Sequence, residues 1–345
     1  MKFQADREVL SDAVSFLVRL LSPRPQLPQL SGVMIEATKD EVVLSIFDYE
    51  VAARVKIAAA VEAPGKVLVQ ARLLSEIVSK LPASSVSLVI DETRLHVTSG
   101  SSKFSLSSMA TTDYPDTPEF PAATGQVSAS EFTNSVAKVA SAASREEVTP
   151  VLTAVMIQAD SKNLTMVATD RFRVAVKALP WTGKAIDRDV LIPARVLNEI
   201  AKTFSHEGDL ELAFGATEKE MIGFSSGNKT VSTATIKGKY PAVLQLFPED
   251  TENFAVLNNQ ELLNATRRVA LVVDREKPLR YKFSEGELSL ESIGSDVADA
   301  SEQIACSLKG GETLVSLRPQ FLSDALAGLD LSLIHISEPT RRTPI

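Results

Sequence analysis

The apolar positions of residues 63–82, APGKVLVQARLLSEIVSKLP, predict a short strand followed by an amphipathic helix. The same pattern returns at residues 187–204 and, more weakly, at residues 310–329. A unit that recurs at a long period indicates structural repeats. The chain is therefore predicted to contain three related domains.

The spacing between the copies is nearly constant. Arg72 corresponds to Arg195 and Glu76 to Glu199, and both pairs are 123 positions apart. In the third copy Asp324 corresponds to Glu199, 125 positions later.

Helical spacing of apolar residues predicts two helices in each repeat. They are expected at residues 7–21, 71–81, 130–143, 194–204, 259–273 and 319–328. Ser130 is predicted to cap the third helix. Between the helices, short runs rich in valine and isoleucine predict strands, and Glu285-Gly286 marks a hairpin turn.

This order of helix, strands, helix and strands predicts an α+β fold with antiparallel sheets and about six to eight strands in each domain. Proline-rich segments at 113–121 and 239–248 are expected to be linkers. The predicted domains are residues 1–118, 122–248 and 251–330.

The third domain is expected to be incomplete, because the strands that end the first two repeats have no equivalent after residue 330. The last segment, 331–345, reads LSLIHISEPTRRTPI and resembles the translation of a sequencing adaptor. We expect a non-native tail there, with a divergent natural terminus as the alternative.

Composition narrows the class of protein. Among 345 residues, 44% are hydrophobic and 23% charged, as in ordinary globular chains. No apolar run of about 18 residues is present, so no membrane span is expected. The N-terminus lacks the apolar core of a secretory signal. Cys306 is the single cysteine, which excludes an intrachain disulfide and suits a cytoplasmic protein.

The net charge of −8 speaks against a nucleic-acid partner unless the basic residues are concentrated on one surface. The predicted helices carry such residues, but they also carry Glu76, Glu199 and Asp324. The basic residues are Arg7, Arg19, Arg72, Lys80, Lys138, Arg195, Lys202, Arg267 and Arg268. Charge alone leaves two interpretations, ordinary solvated helix faces or a weakly basic wall that meets phosphates without reading bases.

An ordered set of segments is similar to the bacterial β sliding clamp family, the processivity subunits of DNA polymerase III. The segments are RPQLPQLSGV, PGKVLVQARLLSEIVSKLP, KFSLSSM, VATDRFRVAVKAL and VLIPARVLNEI, and the similarity runs from residue 1 to residue 330. The resemblance implies a DNA-clamp fold in which each chain forms half of a ring. Two copies would join head to tail, with helices lining a hole that holds duplex DNA.

The resemblance also implies DNA contacts that do not depend on sequence. Arg24 and Arg72 match DNA-contacting positions of the family, and Arg145 and Glu146 lie in a loop that touches DNA. Thr149 replaces the arginine that is commoner in this loop. Arg195 and Lys202, on the fourth helix, complete the predicted DNA-binding set.

A second implied site is a groove that captures short partner peptides with apolar anchors. The expected partners are the clamp loader, replicative and repair polymerases and other clamp-motif proteins. The matching wall positions are Leu152, Thr169, Arg171, Phe172, Arg173, Val174, Pro241 and Leu246. Taken without the resemblance, TDRFR could equally be a turn with solvated arginines.

Two features are expected to weaken this groove. Arg171 replaces a commoner glycine, which would narrow the entrance. The family closes the groove with C-terminal residues that this sequence lacks. We therefore expect poor peptide binding.

The implied dimer contact joins Phe104 and Leu106, on an edge strand, to Leu271 and Val272 of the other copy. Exposed Phe104 and Leu106 would suit an interface, although a buried strand face is the alternative. Loss of the final strands would leave a sheet edge unpaired. Ring closure is therefore expected to be impaired.

The sequence leaves two other classes of protein as alternatives. An enzyme could use Asp48, Glu50 or Asp170 as acids, but the motifs GxGxxG, GxxxxGK[ST] and HExxH are absent from the sequence. The three histidines and one cysteine are too dispersed for a His/Cys metal site, so neither a metal nor another cofactor is expected. A three-repeat scaffold that does not bind DNA is the second alternative.

Overall fold

The computed structural model describes residues 1–39, 41–82, 84–112, 114–204, 208–215, 221–247, 253–274, 276–293, 298–328 and, for the backbone only, 333–337. These residues form two compact units. The first contains residues 1–168 and 176–240, and the second contains residues 169–175 and 241–345.

The first repeat begins with a strand, and its helices follow directly after strands. Its elements are β1 (Lys2–Asp6), α1 (Arg7–Leu20), β2 (Gly32–Ala37), β3 (Val42–Phe47), β4 (Val51–Ile57), β5 (Ala60–Ala63), β6 (Gly65–Gln70), α2 (Ala71–Ser79), β7 (Ser85–Asp91), β8 (Arg94–Ser99) and β9 (Ser102–Ser107). Five of these strands form a sheet in the order β5-β1-β7-β8-β9.

The second repeat restates this order. Its elements are β10 (Gly125–Ser128), α3 (Ala129–Ala140), β11 (Ala154–Ala159), β12 (Asn163–Thr169), β13 (Val174–Pro180), β14 (Thr182–Gly183), β15 (Ile186–Pro193), α4 (Ala194–Thr203), β16 (Asp209–Ala213), β17 (Ile222–Ser226) and β18 (Lys229–Thr233). Strands β13, β12, β11 and β15 form a four-stranded sheet in that order.

One sheet joins the first two repeats. It has nine strands in the order β14-β10-β16-β17-β18-β4-β3-β2-β6. The joint is the antiparallel pair β18 and β4, in which Val231 lies opposite Ala53. The two repeats therefore share backbone hydrogen bonds as well as a linker.

The helices of the first unit pack in pairs, α1 against α2 and α3 against α4. In α1 the side chains of Leu10, Phe16 and Leu17 are fully buried, as the helical period of its apolar residues predicts. Helix α1 also contacts α4, where the rings of Phe16 and Phe204 meet edge to face at 6.4 Å.

The linker between these repeats is fixed to the sheet. The hydroxyl of Tyr114 accepts a hydrogen bond from the backbone N–H of Phe47 at 2.8 Å. Arg54 donates to the carbonyl of Thr117. The ring of Phe120 lies so close to Gly223 that a Cβ atom there would be 2.6 Å from it.

The second unit holds the third repeat. Its elements are β19 (Phe254–Asn258), α5 (Asn259–Val269), β20 (Leu279–Ser284), β21 (Gly286–Glu291), β22 (Ser301–Lys309), β23 (Thr313–Leu317), α6 (Pro319–Ala327) and β24 (Leu333–Ser337). The strands form one sheet in the order β23-β20-β21-β22-β19-β24. Its core includes Leu262, Tyr281, Leu288 and Leu326.

The predicted helices are confirmed, with ends that move by up to four residues. The expected cap at Ser130 is wrong, because α3 begins one residue earlier. Ser128 accepts a hydrogen bond from the N–H of Glu131 at 3.4 Å. The short strands that precede α1, α3 and α5 were not predicted. Short 3₁₀ helices also occur, at Pro28–Ser31, Pro150–Thr153, Val243–Leu246 and Ala270–Val272.

Part of the expected tail is a strand. β24 pairs antiparallel with β19, and His335 lies opposite Val256. Residues 331–332 and 338–345 lie outside the described part of the chain. The non-native origin of the tail and the limits of the three domains stay predictions.

Candidate functional site

Two predicted DNA-binding arginines occupy equivalent positions at helix starts. Arg72 and Arg195 lie in the first turns of α2 and α4, and both side chains are exposed. Gln70 caps α2 by accepting from the N–H of Leu73 at 2.7 Å. Pro193 precedes α4 and supplies no side-chain cap. The positive end of the α4 dipole therefore adds to the charge of Arg195.

Arg145 and Arg195 line the same groove of the first unit. This groove, of about 820 Å³, is bounded by the start of α4 and by the loop that follows α3. Glu50 and Glu147 also line it. The two arginines are therefore balanced by two carboxylates, which gives a surface of mixed charge.

The other predicted DNA contacts differ in how much charge they offer. Arg24 and Glu146 are exposed in loops. The backbone N–H of Glu146 donates to the hydroxyl of Ser144 at 3.1 Å, which fixes the start of its loop. Lys202 forms an ion pair with Glu199 at 2.8 Å, so its charge is partly neutralised.

The TDRFR segment forms a tight turn in the second unit. The Asp170 carboxylate accepts from the N–H groups of Phe172 and Arg173, both at 3.1 Å. The hydroxyl of Thr169 donates to the carbonyl of Arg173 at 2.7 Å. Arg171 has a φ of +77°, in the left-handed region that favours glycine.

Arg173 ties this turn to α6. Its guanidinium pairs with Asp170 at 3.0 Å and with Asp324 at 2.8 Å. It also lies over the ring of Phe321, 4.5 Å from the centroid. The charge of Arg173 is thus shared by two carboxylates, and the residue holds the turn in place.

A second arginine lies against the same rings. Arg318, at the start of α6, is 5.2 Å from the ring centroid of Phe172 and 5.4 Å from that of Phe321. The two rings stack with centroids 6.1 Å apart. Sequence reasoning missed Arg318 and Phe321 as site residues, and it noted Asp324 only as a repeat match.

The predicted groove residues divide into exposed and buried sets. Phe172 is 71% exposed and Leu246 is 40% exposed. Pro241 and Arg171 are also exposed, and Val174 is half-buried. Leu152 in the first unit and Thr169 in the second are buried. Neither of these two residues presents an exposed side chain.

The predicted dimer residues also divide. Phe104 is 42% exposed on β9, the last strand of its sheet, and Leu271 is 83% exposed after α5. Val272 is half-buried. Leu106 follows the alternative of a buried strand face, because this side chain is buried and lies opposite Leu95.

Two of the acids named as enzyme candidates, Asp48 and Asp170, accept hydrogen bonds from backbone N–H groups of their own turns. Asp48 accepts from the N–H groups of Glu50 and Val51, as Asp170 does in the equivalent turn. Within the described residues, no group of three or more His, Cys, Asp or Glu side chains is placed to hold a metal ion. No described helix is both long and apolar enough to cross a membrane.

Comparison with known families assigns all three repeats. The profiles of the N-terminal, central and C-terminal domains of the DNA polymerase III beta subunit match residues 1–118, 126–242 and 244–342. The chain belongs to the DNA polymerase III beta subunit family. The predicted resemblance, the three-repeat clamp fold and the function of a DNA sliding clamp in replication are confirmed.

Individual relatives agree with this assignment. The beta sliding clamp of Micrococcus luteus is 43% identical over 311 residues, covering 90% of this chain and 100% of that protein. The beta sliding clamp of Streptomyces coelicolor is 36% identical over 349 residues, covering 100% of this chain and 93% of that protein. The solved Bacillus subtilis sliding clamp has the same fold, with a TM-score of 0.90, 24% identity and coverage of 100% and 97%.

Proposed function

We propose that two copies of this chain join head to tail into a ring that encircles duplex DNA, and that the ring tethers DNA polymerases and other partners for processive synthesis. The observation that carries the proposal is the strand pair β18–β4. This pair joins one repeat to the next, while the equivalent edge of β9 has no partner strand among the described residues.

Strand β9 is the counterpart of β18. Each follows a glycine with positive φ, +57° at Gly100 and +59° at Gly227. Phe104 lies opposite Val97, and Val231 lies opposite Phe224, at the same distance from these turns. Phe104 therefore corresponds to Val231.

The third repeat offers the counterpart of β4. In the first repeat, Val55 of β4 lies opposite Leu44 of β3. In the third repeat, Glu302 of β22 lies opposite Leu290 of β21, at the equivalent place in the sheet. Residues 298–302 therefore correspond to residues 51–55. Since Val231 pairs with Ala53, the proposed register places Phe104 opposite Ala300 of the second copy.

Disulfide trapping tests this register. In a Cys306→Ala background, Phe104→Cys with Ala300→Cys should give a covalent dimer on mild oxidation, because paired residues bring their Cβ atoms within about 5.5 Å. Phe104→Cys with Ala305→Cys is the matched control and should not cross-link. A monomer in velocity sedimentation at micromolar concentration would contradict the proposed dimer and agree with the impaired ring closure expected from the sequence.

The proposed DNA contact is weak and independent of sequence. Arg145, Arg195 and the uncapped start of α4 supply positive charge, and Glu50 and Glu147 limit it. Such a surface meets phosphates without holding them tightly, which suits sliding. Retention on nicked circular plasmid, with loss after linearisation, is the expected result. Equal retention on both forms would indicate ordinary binding and not encirclement.

The proposed tether is a peptide site that includes the TDRFR turn. Exposed Phe172 and Leu246 provide apolar surface for anchors of an extended segment. The proposed users are the clamp loader and the replicative and repair polymerases, which would reach the clamp through such segments. We assign the chain no catalytic step and no cofactor, and we place it in the cytoplasm with the replication machinery.

A further inference from the structure

We infer that the open edge of β13 is a second docking site for β9 of another copy of this chain. This inference goes beyond the proposed ring, in which β9 pairs with residues 298–302 of the third repeat. Its basis is that β13 is the counterpart, in the second repeat, of β4, the strand that accepts β18 within a single chain.

The turns before β4 and β13 show that the two strands correspond. Asp48 accepts from the backbone N–H groups two and three residues further on, and Asp170 does the same. The residue after each acid has a positive φ, +71° in the first turn and +77° in the second. With Asp48 matched to Asp170, residues 51–55 correspond to residues 173–177.

One edge of β13 has no partner strand. β13 ends the sheet β13-β12-β11-β15, and within the described part of the chain no strand follows it. Val176, Lys177 and Ala178 are exposed in succession, although neighbouring residues of a strand point to opposite faces. Val55, the counterpart of Lys177, is only 1% exposed in β4, which pairs with β18. An open edge with an exposed valine is a template for pairing with another chain.

The strand that fits this edge is β9, the counterpart of β18. In the pair β18–β4, Thr230 lies opposite Arg54. The counterparts of these two residues are Lys103 of β9 and Val176 of β13. The proposed register therefore places Lys103 of one copy opposite Val176 of another.

The acceptor strands share a small residue at the centre of the joint. Val231 of β18 lies opposite Ala53 of β4. The residues that correspond to Ala53 are also alanines, Ala175 in β13 and Ala300 in the third repeat. Each acceptor for β9 therefore leaves room for the ring of Phe104.

The charges on β9 and β13 are compatible with this register. Lys177 follows Val176 and so points to the opposite face of the joint from Lys103. The two lysines therefore do not lie opposite each other. The ring register differs, because it places Asp299 diagonally across from Lys103, where the opposite charges attract. Salt should therefore weaken the ring joint more than the joint at β13.

The two docking sites exclude each other for any one β9 strand. A copy that is docked at β13 cannot use the same β9 to close the ring. The contact joins two different surfaces, so it can extend into open assemblies where its geometry does not close. The edge of β13 therefore competes with ring closure.

The test mixes two single-cysteine variants of the full chain, both in a Cys306→Ala background. Lys103→Cys mixed with Val176→Cys should form a covalent heterodimer on mild oxidation, because paired residues bring their Cβ atoms within about 5.5 Å. Lys103→Cys mixed with Lys177→Cys is the matched control, since the neighbouring residue points to the other face, and it should not cross-link. Lys103→Cys mixed with Ser301→Cys reports on the ring joint.

Salt provides a second readout. Raising it from about 0.05 M to about 0.5 M should increase the ratio of the Val176 product to the Ser301 product about twofold, in the range of a surface ion pair. A ratio that falls with salt would overturn the inference, because β13 offers no acid to Lys103.

The outcomes separate this inference from the proposed ring. Cross-linking at Ser301 but not at Val176 would overturn the inference and leave the ring intact. Cross-linking at Val176 but not at Ser301 would support the inference and overturn the ring register. Equal cross-linking at Val176 and Lys177 would mean contact without a defined strand pair, which would also overturn the inference. Protection of residues 176–178 from hydrogen exchange in the monomer would mean that another segment covers the edge, with the same consequence.

Discussion

The guanidinium of Arg173 lies 2.8 Å from the carboxylate of Asp324, although the two residues are 151 positions apart in sequence. This ion pair connects the TDRFR turn to α6 within the second unit. Gln320 donates to the other oxygen of Asp324 at 2.7 Å. The carboxylate is therefore oriented by its own helix before it meets the arginine.

Asp324→Ala should loosen the turn, because a half-buried arginine then keeps one carboxylate in place of two. We expect a loss of about 1 kcal/mol of local stability, and hence about fivefold faster hydrogen exchange at residues 170–173. Glu291→Ala, which removes the partner of exposed Arg280, is the control and should change exchange little. Unchanged exchange at the turn after Asp324→Ala would contradict the positioning role of Arg173.

The close approach of Phe120 to Gly223 gives a second prediction. Gly223→Ala places a Cβ atom 2.6 Å from the ring and must displace the linker. We expect thermal unfolding to show that the free energy of unfolding falls by about 1–3 kcal/mol. Gly311→Ala, where nothing lies within 4 Å of the new Cβ, is the control.

A double variant sharpens this test. If the new Cβ atom clashes with the ring, Gly223→Ala should lower the free energy of unfolding less in a Phe120→Ala background than in the unaltered chain. Additive effects would mean that the alanine strains something other than the linker contact.

The helices were predictable from the sequence because their apolar faces repeat with the helical period. The strands β1, β10 and β19 were not, since each has only four or five residues and ends directly at a helix. The cap of α3 was misplaced because Ser128 and Ser130 both precede the apolar run, and only the backbone shows which one starts the helix.

The site was predictable only in part, and for a different reason. Arg72, Arg195 and the TDRFR segment lie in local motifs, so the resemblance could indicate them as candidates. The contacts of Arg318 and Asp324 with that segment depend on folding, which brings distant parts of the chain together. No local pattern near these two residues indicates their partners.

Alkaline pH should destabilise the chain through two buried phenols. Burial raises the pKa of Tyr114 and of Tyr281 to about 12. Below about pH 10 both are protonated whether the chain is folded or not, so the stability they contribute is fully present. Between about pH 10 and 12 the unfolded chain releases these protons and the folded chain retains them, so stability falls as pH rises.

Each phenol should account for a loss of about 2 kcal/mol in the free energy of unfolding by pH 12. Urea unfolding between pH 9 and 11.5 should therefore show a shallower decline for Tyr114→Phe and for Tyr281→Phe than for the unaltered chain. At pH 9, Tyr114→Phe should cost about 1 kcal/mol, since the N–H of Phe47 loses its acceptor. Parallel declines for all three proteins would refute the role of the phenols.

Salt dependence should separate the predicted DNA contacts. The logarithm of the DNA-binding constant falls linearly with the logarithm of salt concentration. Arg145→Ala and Arg195→Ala should each reduce the magnitude of this slope by about 1, as expected for the loss of one phosphate contact. Lys202→Ala should have a smaller effect, because Glu199 already holds this charge. Arg94→Ala, an exposed arginine outside the predicted set, is the control, and an equal change there would mean that only net charge matters.

The strand pair that joins the first two repeats lies within a single chain, so its two edges are always present at a high effective concentration. Dilution cannot separate them without unfolding the sheet. The proposed pair between β9 and a second copy has no such tether, and its occupancy falls as the protein is diluted. A ring built in this way would open at its two intermolecular joints while the β18–β4 joint of each chain stays closed.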